Sequence, residues 1–194
     1  MTQTIDSTST GDPATFRALD ALCARLGAAA PPPTDRGRVT LLVTRVDGGR
    51  RETPSQVVLT ATAGMPGDAW LRKTPDAPEA QLAVMQDAVA ALIANGQPLV
   101  LFGDNLFLDL DLSAANLPIG SRLRAGACVL EVTPKPHNGC SKFSGRFGPD
   151  ALRFVAHPER RHLNLRGIYL RVVEDGAVAV GDPVVVLSRA DGAR

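Results

Sequence analysis

The 194-residue chain has few aromatic residues and few cysteines, and each shortage excludes a class of protein. Aromatic residues make up 4% of the sequence, so we expect a core of Val, Leu, Ala and Ile. The three cysteines, Cys23, Cys128 and Cys140, are too few and too far apart for a disulfide framework or a four-cysteine zinc site. We therefore expect a reducing, cytoplasmic compartment.

Long apolar runs are also missing from the sequence. No stretch approaches the roughly 20 apolar residues of a membrane helix, so no membrane partner is expected. The polar segment of residues 1–12 lacks the pattern of a signal peptide and is predicted to be a disordered tail. The length favours one domain, which we place at residues 37–188, after a flexible tail and an N-terminal helix in residues 1–36.

Positive charge is concentrated in one part of a nearly neutral chain. Residues 134–171 contain eight Lys or Arg residues and two acidic residues, although the whole chain carries a net charge of +1. This clustering predicts a surface for an anion, or alternatively a solvated helix face balanced by acids elsewhere in the fold. A small anion is favoured over nucleic acid, because the segment has few aromatics for base stacking and no known reader motif.

The secondary-structure pattern predicts a β-rich α+β fold. Amphipathic spacing indicates an N-terminal helix from Pro13 to Gly27 and a long helix from Pro78 to Ala94, and a further helix is expected to start near Pro149. Eighteen glycines and 15 prolines indicate many turns. Short strands are predicted at residues 39–46, 57–60, 99–102, 106–110, 122–125, 127–133, 165–173, 177–180 and 183–187. Such strands favour a small closed barrel with peripheral helices.

Cys140 lies in a segment that does not resemble core. Residues 134–143 are polar and connect a predicted strand to a predicted helix, so the Cys140 thiol is expected to be exposed. Its sequence neighbours His137, Lys142 and Arg146 stabilise a thiolate, which can act as a nucleophile, a persulfide carrier or a soft-metal ligand. An incidental loop cysteine is the alternative. Cys23 and Cys128 occupy apolar patterns and are expected to be buried.

The sequence around Cys140 resembles the signature of the MOSC domain family, named after the C-terminal domain of molybdenum cofactor sulfurase. The matching run extends from Glu131 to Gly148 and contains Pro136-His137-Asn138-Gly139-Cys140-Ser141-Lys142-Phe143. Further matches follow the family's order. They are Gly64-Met65-Pro66-Gly67-Asp68, Gly103-Asp104-Asn105-Leu106, Leu117-Pro118-Ile119-Gly120-Ser121-Arg122-Leu123, Arg166-Gly167-Ile168 and Val180-Gly181-Asp182.

The resemblance implies a β-barrel that binds the molybdenum–pterin cofactor (molybdopterin) or handles sulfur through Cys140. On this interpretation Cys140 is the molybdenum ligand or the site of a transient persulfide. Its small anionic cofactor would meet basic side chains through its phosphate and polar side chains at its pterin edges. The candidate cofactor-binding residues are Lys142, Arg146, Arg122, Arg166, Asp104, Asn105 and Asn138.

Two functions of different classes follow from the resemblance. Some family members are oxidoreductases that reduce N-hydroxylated compounds at cysteine-ligated molybdenum, and this chain would then need a separate electron-donor protein. The alternative is a non-catalytic sulfur carrier that forms a Cys140 persulfide and needs a sulfur-donor protein. One position departs from the family pattern, because Trp70 stands where members often have a histidine. That substitution favours a subfamily with a different substrate.

Overall fold

The computed structural model describes residues 4–6 and 10–190 and contains twelve strands and five α-helices within them. The strands are β1 (Thr4–Asp6), β2 (Arg36–Leu42), β3 (Thr44–Arg45), β4 (Arg50–Glu52), β5 (Gln56–Leu59), β6 (Leu82–Gln86), β7 (Leu106–Leu108), β8 (Arg122–Ala125), β9 (Cys128–Val132), β10 (Ile168–Glu174), β11 (Gly176–Ala179) and β12 (Pro183–Ser188). The helices are α1 (Leu19–Ala28), α2 (Ala69–Lys73), α3 (Asp87–Ala94), α4 (Ser141–Phe147) and α5 (Pro149–Ala156).

Seven strands close into a barrel in the order β10-β6-β7-β2-β12-β8-β9. Every neighbouring pair is antiparallel except β6 and β7, which are parallel. The remaining strands form a three-stranded sheet in the order β1-β4-β3 and a two-stranded pair of β5 and β11. The small barrel with peripheral helices predicted from the short strands is therefore confirmed.

The barrel interior is aliphatic, as the shortage of aromatic residues predicts. Its buried side chains alternate along each strand with outward-facing residues, and they include Leu42, Leu108, Leu123, Leu130 and Leu170. Cys128 is completely buried among them, as predicted from its apolar surroundings. Burial, followed by the nearby charges of Asp175 and Glu174, raises the pKa of Cys128 to about 12. This thiol is therefore protonated and unreactive at neutral pH.

A second core lies outside the barrel and fixes the helix that follows Cys140. Phe102 and Phe147 stack with ring centroids 4.1 Å apart, and Phe143 lies 5.9 Å from Phe102. Phe143 and Phe147 belong to α4, whose buried side is therefore anchored against the barrel wall through aromatic contacts. Cys23 packs against the edge of this core but is only half-buried, so the prediction of a buried thiol is wrong at this position.

The predicted long helix from Pro78 to Ala94 is wrong in its first half. A short 3₁₀ turn occupies Pro78–Ala80, β6 follows at Leu82–Gln86, and only Asp87–Ala94 is α-helical. Every residue of β6 is buried, because this barrel strand is covered on both faces. A fully buried strand has no apolar–polar alternation, so its sequence is difficult to distinguish from the apolar side of a helix. The strand predicted at residues 99–102 is instead a 3₁₀ turn at Leu99–Leu101.

The N-terminal segment is bound to the domain at several points. Thr4–Asp6 pairs with β4, and the Gly11 amide donates to the Gly145 carbonyl at 3.2 Å. The Asp12 amide donates to Gln97 Oε1 at 2.8 Å. The prediction of a disordered tail is therefore wrong for Thr4–Asp6 and for residues 10–12. Residues 1–3 and 7–9 lie outside the described residues. None of the described helices is long and apolar enough to cross a membrane.

Gly11→Ala should release the N-terminal segment from α4. A Cβ atom on Gly11 would lie 1.7 Å from the Arg146 carbonyl oxygen, which is a backbone atom and cannot rotate away. We expect a loss of about 1–3 kcal/mol in the free energy of unfolding, measured by urea titration. Gly27→Ala is the matched control, because a Cβ there meets nothing within 4 Å inside α1 and gains about 0.5–1 kcal/mol. Equal stabilities of the two variants would contradict this assignment.

Cys128→Ser should destabilise the barrel. The replacement hydroxyl is more polar than the thiol and lies in an aliphatic interior, which costs about 1–3 kcal/mol in the free energy of unfolding. Cys23→Ser makes the same chemical change at a half-buried position outside the barrel and should cost less. Chemical denaturation of both variants measures the difference. A Cys128→Ser transition midpoint at or above that of Cys23→Ser would show that the barrel interior tolerates the hydroxyl.

Candidate functional site

The segment that carries Cys140 leaves the barrel at the end of β9 and returns as α4. Thr133 fixes its start, since its amide donates to the Tyr169 carbonyl at 3.0 Å and its hydroxyl donates to the Glu79 carbonyl at 2.6 Å. Gly139 allows the loop to approach α5, because a Cβ there would lie 2.5 Å from Leu152 Cδ1. Cys140 immediately precedes α4 and its side chain is exposed. The expectation of an exposed Cys140 is confirmed.

Cys140 lines a cleft of about 650 Å³ in which positive charge predominates. One wall comes from the Cys140 loop, α4 and the residues before β10. The opposite wall comes from the β3–β4 hairpin and α2. The lining contains one carboxylate, Asp47, and eight basic residues: Arg45, Arg50, Arg51, Arg72, Lys73, Lys142, Arg146 and Arg166. We call this region the cationic cleft.

Two buried arginines of the cationic cleft are fixed by the same backbone turn. Arg51 Nη1 donates to the carbonyls of Val100 and Leu101 at 3.0 and 3.1 Å, and Arg146 Nη1 donates to the Leu101 carbonyl at 3.0 Å. Burial lowers the pKa of Arg146, and the Cys140 sulfur partly opposes that change. Gly103 follows the turn with φ of +77°, and a Cβ there would lie 3.2 Å from Arg51 Nη2. The turn therefore holds cations from both walls close together.

A buried carboxylate holds Arg45 in the opposite wall. Asp68 is 1% exposed and accepts from Arg45 Nη2 at 2.5 Å, from Arg45 Nε at 2.9 Å and from Asn105 Nδ2 at 3.0 Å. Burial opposes the charged form of Asp68, but the hydrogen bonds and charge of Arg45 hold the pKa of that carboxyl below its usual value. Asn105 also accepts from the Ala83 amide at 3.1 Å, which ties this wall to β6.

A second buried carboxylate holds Arg166 and contacts His137. Asp104 is completely buried and accepts from Arg166 Nη1 at 2.8 and 3.0 Å. His137 Nδ1 lies 3.4 Å from Asp104 Oδ1, and the His137 ring lies 4.4 Å from the Tyr169 ring. The guanidinium of Arg166 lies over the Phe143 ring, 5.1 Å from its centroid. Arg166, His137 and Tyr169 all line the cationic cleft beside Cys140.

The structure brings together five of the predicted site residues and separates three. Cys140, Asn138, Lys142, Arg146 and Arg166 line the cationic cleft. Asp104 and Asn105 do not face it, because both are completely buried and bonded to protein groups beneath its walls. Arg122 lies on the outer barrel surface, where Nε donates to Glu131 Oε2 at 3.1 Å. The structure therefore places these three candidate residues outside the lining of the cleft.

Five of the eight basic residues that line the cationic cleft were not predicted from the sequence. Arg45, Arg50, Arg51, Arg72 and Lys73 come from β3, β4 and α2, about 70 to 100 residues before Cys140 in the chain. A weak signal existed, since three arginines flank the Asp47-Gly48-Gly49 turn. Their placement opposite Cys140 depends on long-range strand pairing, which composition does not reveal.

The donor set indicates what kind of ligand this site fits. Among the described residues, no group of three or more His, Cys, Asp or Glu side chains could hold a bare metal ion. One exposed thiol surrounded by cations instead fits a metal that arrives already bound to an anionic organic group. Arg166 Nε is buried without a hydrogen-bond partner, and its side chain lines the cleft. The residues present therefore fit a phosphorylated metal cofactor.

The fold and cleft define a class of protein: a closed aliphatic β-barrel with a cysteine in a cationic cleft on its outer surface. A family model described as the MOSC domain matches residues 72–185, which is more than half of the chain. The chain belongs to the MOSC domain family, and the resemblance seen in its motifs is confirmed. This family is associated in general with the molybdenum cofactor.

Solved structures share this fold. YiiM from Escherichia coli aligns with a TM-score of 0.54 and 20% identity over 80% of this chain and 71% of that chain. The YUAD protein from Bacillus subtilis aligns with a TM-score of 0.56 and 18% identity over 77% of this chain and 94% of that chain. No curated protein matches this chain.

Asp68→Asn should destabilise the protein in a pH-dependent way. Removing the charge leaves Arg45 in the cleft wall without its carboxylate partner, which costs about 3–5 kcal/mol in the free energy of unfolding at pH 7. The pKa of Asp68 is lower in the folded than in the unfolded protein. The extra free energy of unfolding of wild type over the variant is therefore fully present above the unfolded-state carboxyl pKa of about 3.9. It is lost as the pH falls through the lower pKa of the folded state.

Urea unfolding of wild type and variant from pH 7 to about pH 3 measures this difference. Asp47→Asn is the control, since Asp47 pairs with Arg72 at 2.8 Å but is 85% exposed, and exposed pairs contribute little. A pH-independent gap between wild type and Asp68→Asn would contradict the electrostatic explanation.

Proposed function

We propose that the chain binds the molybdenum cofactor in the cationic cleft, with Cys140 as the metal ligand. The single observation that carries this proposal is the exposure of Cys140 in the same cleft as eight Lys and Arg side chains. Family membership and the cleft's donor set support it independently of each other. Cysteine thiolate is a soft ligand that suits a molybdenum centre better than carboxylate or amide oxygens do.

The cations of the cleft hold the cofactor phosphate. Arg45 and Arg166 are compensated by Asp68 and Asp104, so they carry less net positive charge toward a ligand. Lys73 and Lys142 form no ion pair with a carboxylate among the side chains that the structure describes. These two supply the attraction, while Arg146 presents a guanidinium that suits bidentate phosphate binding.

From the resemblance to family members that are reductases, the reaction class that we propose is reduction of N-hydroxylated compounds. Conversion of an N-hydroxyl compound to the amine and water consumes two electrons and two protons. The bound cofactor supplies the two-electron chemistry, and a separate electron-donor protein supplies the electrons. The chain's own residues hold the cofactor through Cys140 and the cations, and the open cleft admits a small-molecule substrate.

Metal and pterin analysis tests this proposal. The chain is produced in a host that makes the molybdenum cofactor, and we expect about one molybdenum per chain, as in a site with one cysteine ligand. Cys140→Ser should lose the molybdenum and the pterin fluorescence while unfolding at the same urea concentration as wild type, because this side chain is exposed. Cys23→Ser, which lies outside the cleft, should keep both.

Variants of the basic residues test, by the same metal and pterin analysis, whether these residues bind the cofactor phosphate. Lys142→Gln should lower the pterin content, whereas Arg124→Gln, an exposed change on β8 outside the cleft, should not. Metal-free protein with a cyanide-releasable sulfur on Cys140 would contradict the reductase function and support the sulfur-carrier alternative. Molybdenum retained in Cys140→Ser would overturn the assignment of the ligand.

A further inference from the structure

His137 is a buried imidazole on the lining of the cationic cleft. Its side chain is 6% exposed, and Nδ1 is buried without a hydrogen-bond partner, 3.4 Å from Asp104 Oδ1. Because Nδ1 points into the protein, Nε2 is the nitrogen left to face the cleft, which His137 helps to line. His137 is neither the proposed metal ligand nor one of the cations that bind the phosphate.

Two neighbours of the ring, Asp104 and Tyr169, restrict its orientation, and Gly167 leaves space for it beside Nδ1. Asp104 is held by both hydrogen bonds from Arg166 Nη1. Gly167 has no side chain on the Nδ1 side, where a Cβ would lie 3.2 Å from His137 Nδ1 and 2.1 Å from the Val84 carbonyl oxygen. Tyr169 packs against the ring face with centroids 4.4 Å apart. The imidazole therefore cannot rotate freely to exchange its two nitrogens.

The surroundings also fix the tautomer. A hydrogen on Nδ1 lies against a carboxylate, whereas a lone pair there would face the negative Asp104 oxygen across 3.4 Å. Burial, followed by the charge of Arg166, lowers the pKa of His137 to about 3, so the ring carries a single hydrogen at neutral pH. With that hydrogen on Nδ1, Nε2 presents a lone pair.

We propose that His137 Nε2 is a fixed hydrogen-bond acceptor that selects ligands carrying an N–H or O–H donor. The eight basic residues of the cleft are all donors, and its carboxylate, Asp47, is paired with Arg72. A neutral acceptor within a lining of cations distinguishes a donor-bearing substrate from a simple anion. This inference rests on the proposed function for its substrate class, which is N-hydroxylated amines and amidines.

The tautomer can be tested without cofactor. A long-range ¹H–¹⁵N spectrum of the full-length, ¹⁵N-labelled apo-protein should show a His137 ring protonated on Nδ1 alone at pH 7. The chain has three histidines, and loss of one set of signals in His137→Gln makes the assignment. A ring protonated on Nε2, or on both nitrogens, would overturn the proposal whether or not molybdenum binds.

Turnover by molybdenum-loaded protein tests the selectivity. With an aromatic amidoxime as substrate and viologen reduced by dithionite as electron source, His137→Phe should lower kcat/KM about tenfold. Its molybdenum content should stay at the wild-type level. His137→Gln should recover part of the loss, because an amide oxygen can also accept. His157→Phe is the control at a 39% exposed histidine outside the cleft.

The outcomes separate this inference from the cofactor proposal. Loss of molybdenum from wild-type protein refutes the proposed function but leaves the tautomer result standing. An unchanged kcat/KM in fully loaded His137→Phe refutes the role of His137 but not the cofactor proposal. If His137→Phe does not fold, an equal loss of kcat/KM in His137→Gln and His157→Gln refutes that role instead.

Discussion

Buried carboxylates make the cationic cleft possible. Cations that share a partly buried site repel one another and lose hydration, so the folded chain needs negative charge placed beneath them. Asp68 and Asp104 meet that need because each is completely enclosed and bonded to an arginine. Both follow a glycine in the sequence, Asp68 directly before α2 and Asp104 two residues before β7. The two buried carboxylates therefore neutralise Arg45 and Arg166 from inside the protein, and the other cations of the cleft attract a ligand.

The carboxylates also connect the two walls to the barrel. Asn105 links Asp68 to the backbone of β6, and its neighbour Asp104 holds Arg166 in the wall that carries Cys140. Adjacent residues at the start of β7 therefore organise both sides of the cleft. A ligand that draws Arg45 or Arg166 toward itself must do so against these hydrogen bonds, which favours a cleft with a fixed shape over one that closes on its ligand.

The fold and one wall of the cleft could be predicted from sequence because their signals are local. Short β-branched runs between glycines predicted most strands, and the polar loop around Cys140 predicted its exposure. The opposite wall could not be found, since the distance from Arg51 to Arg146 along the chain is bridged only by tertiary structure. Asp104 and Asn105 were expected to face a ligand, yet nothing in a short polar motif distinguishes a side chain that contacts a ligand from one that supports such a side chain. Strand β6 was missed because burial on both faces removed its period of two.

The pairing of β12 with β2 has a consequence for the order of events in synthesis. The last barrel strand lies between β2 and β8, so both of those strands keep an open edge until Pro183–Ser188 has left the ribosome. Chains emerge from the N-terminal end, and residues 45–73 are therefore available long before the barrel that supports them can close. The two walls of the cleft are therefore supported by a closed barrel only after β12 has been made. Loading of any prosthetic group is consequently expected to follow closure of the barrel.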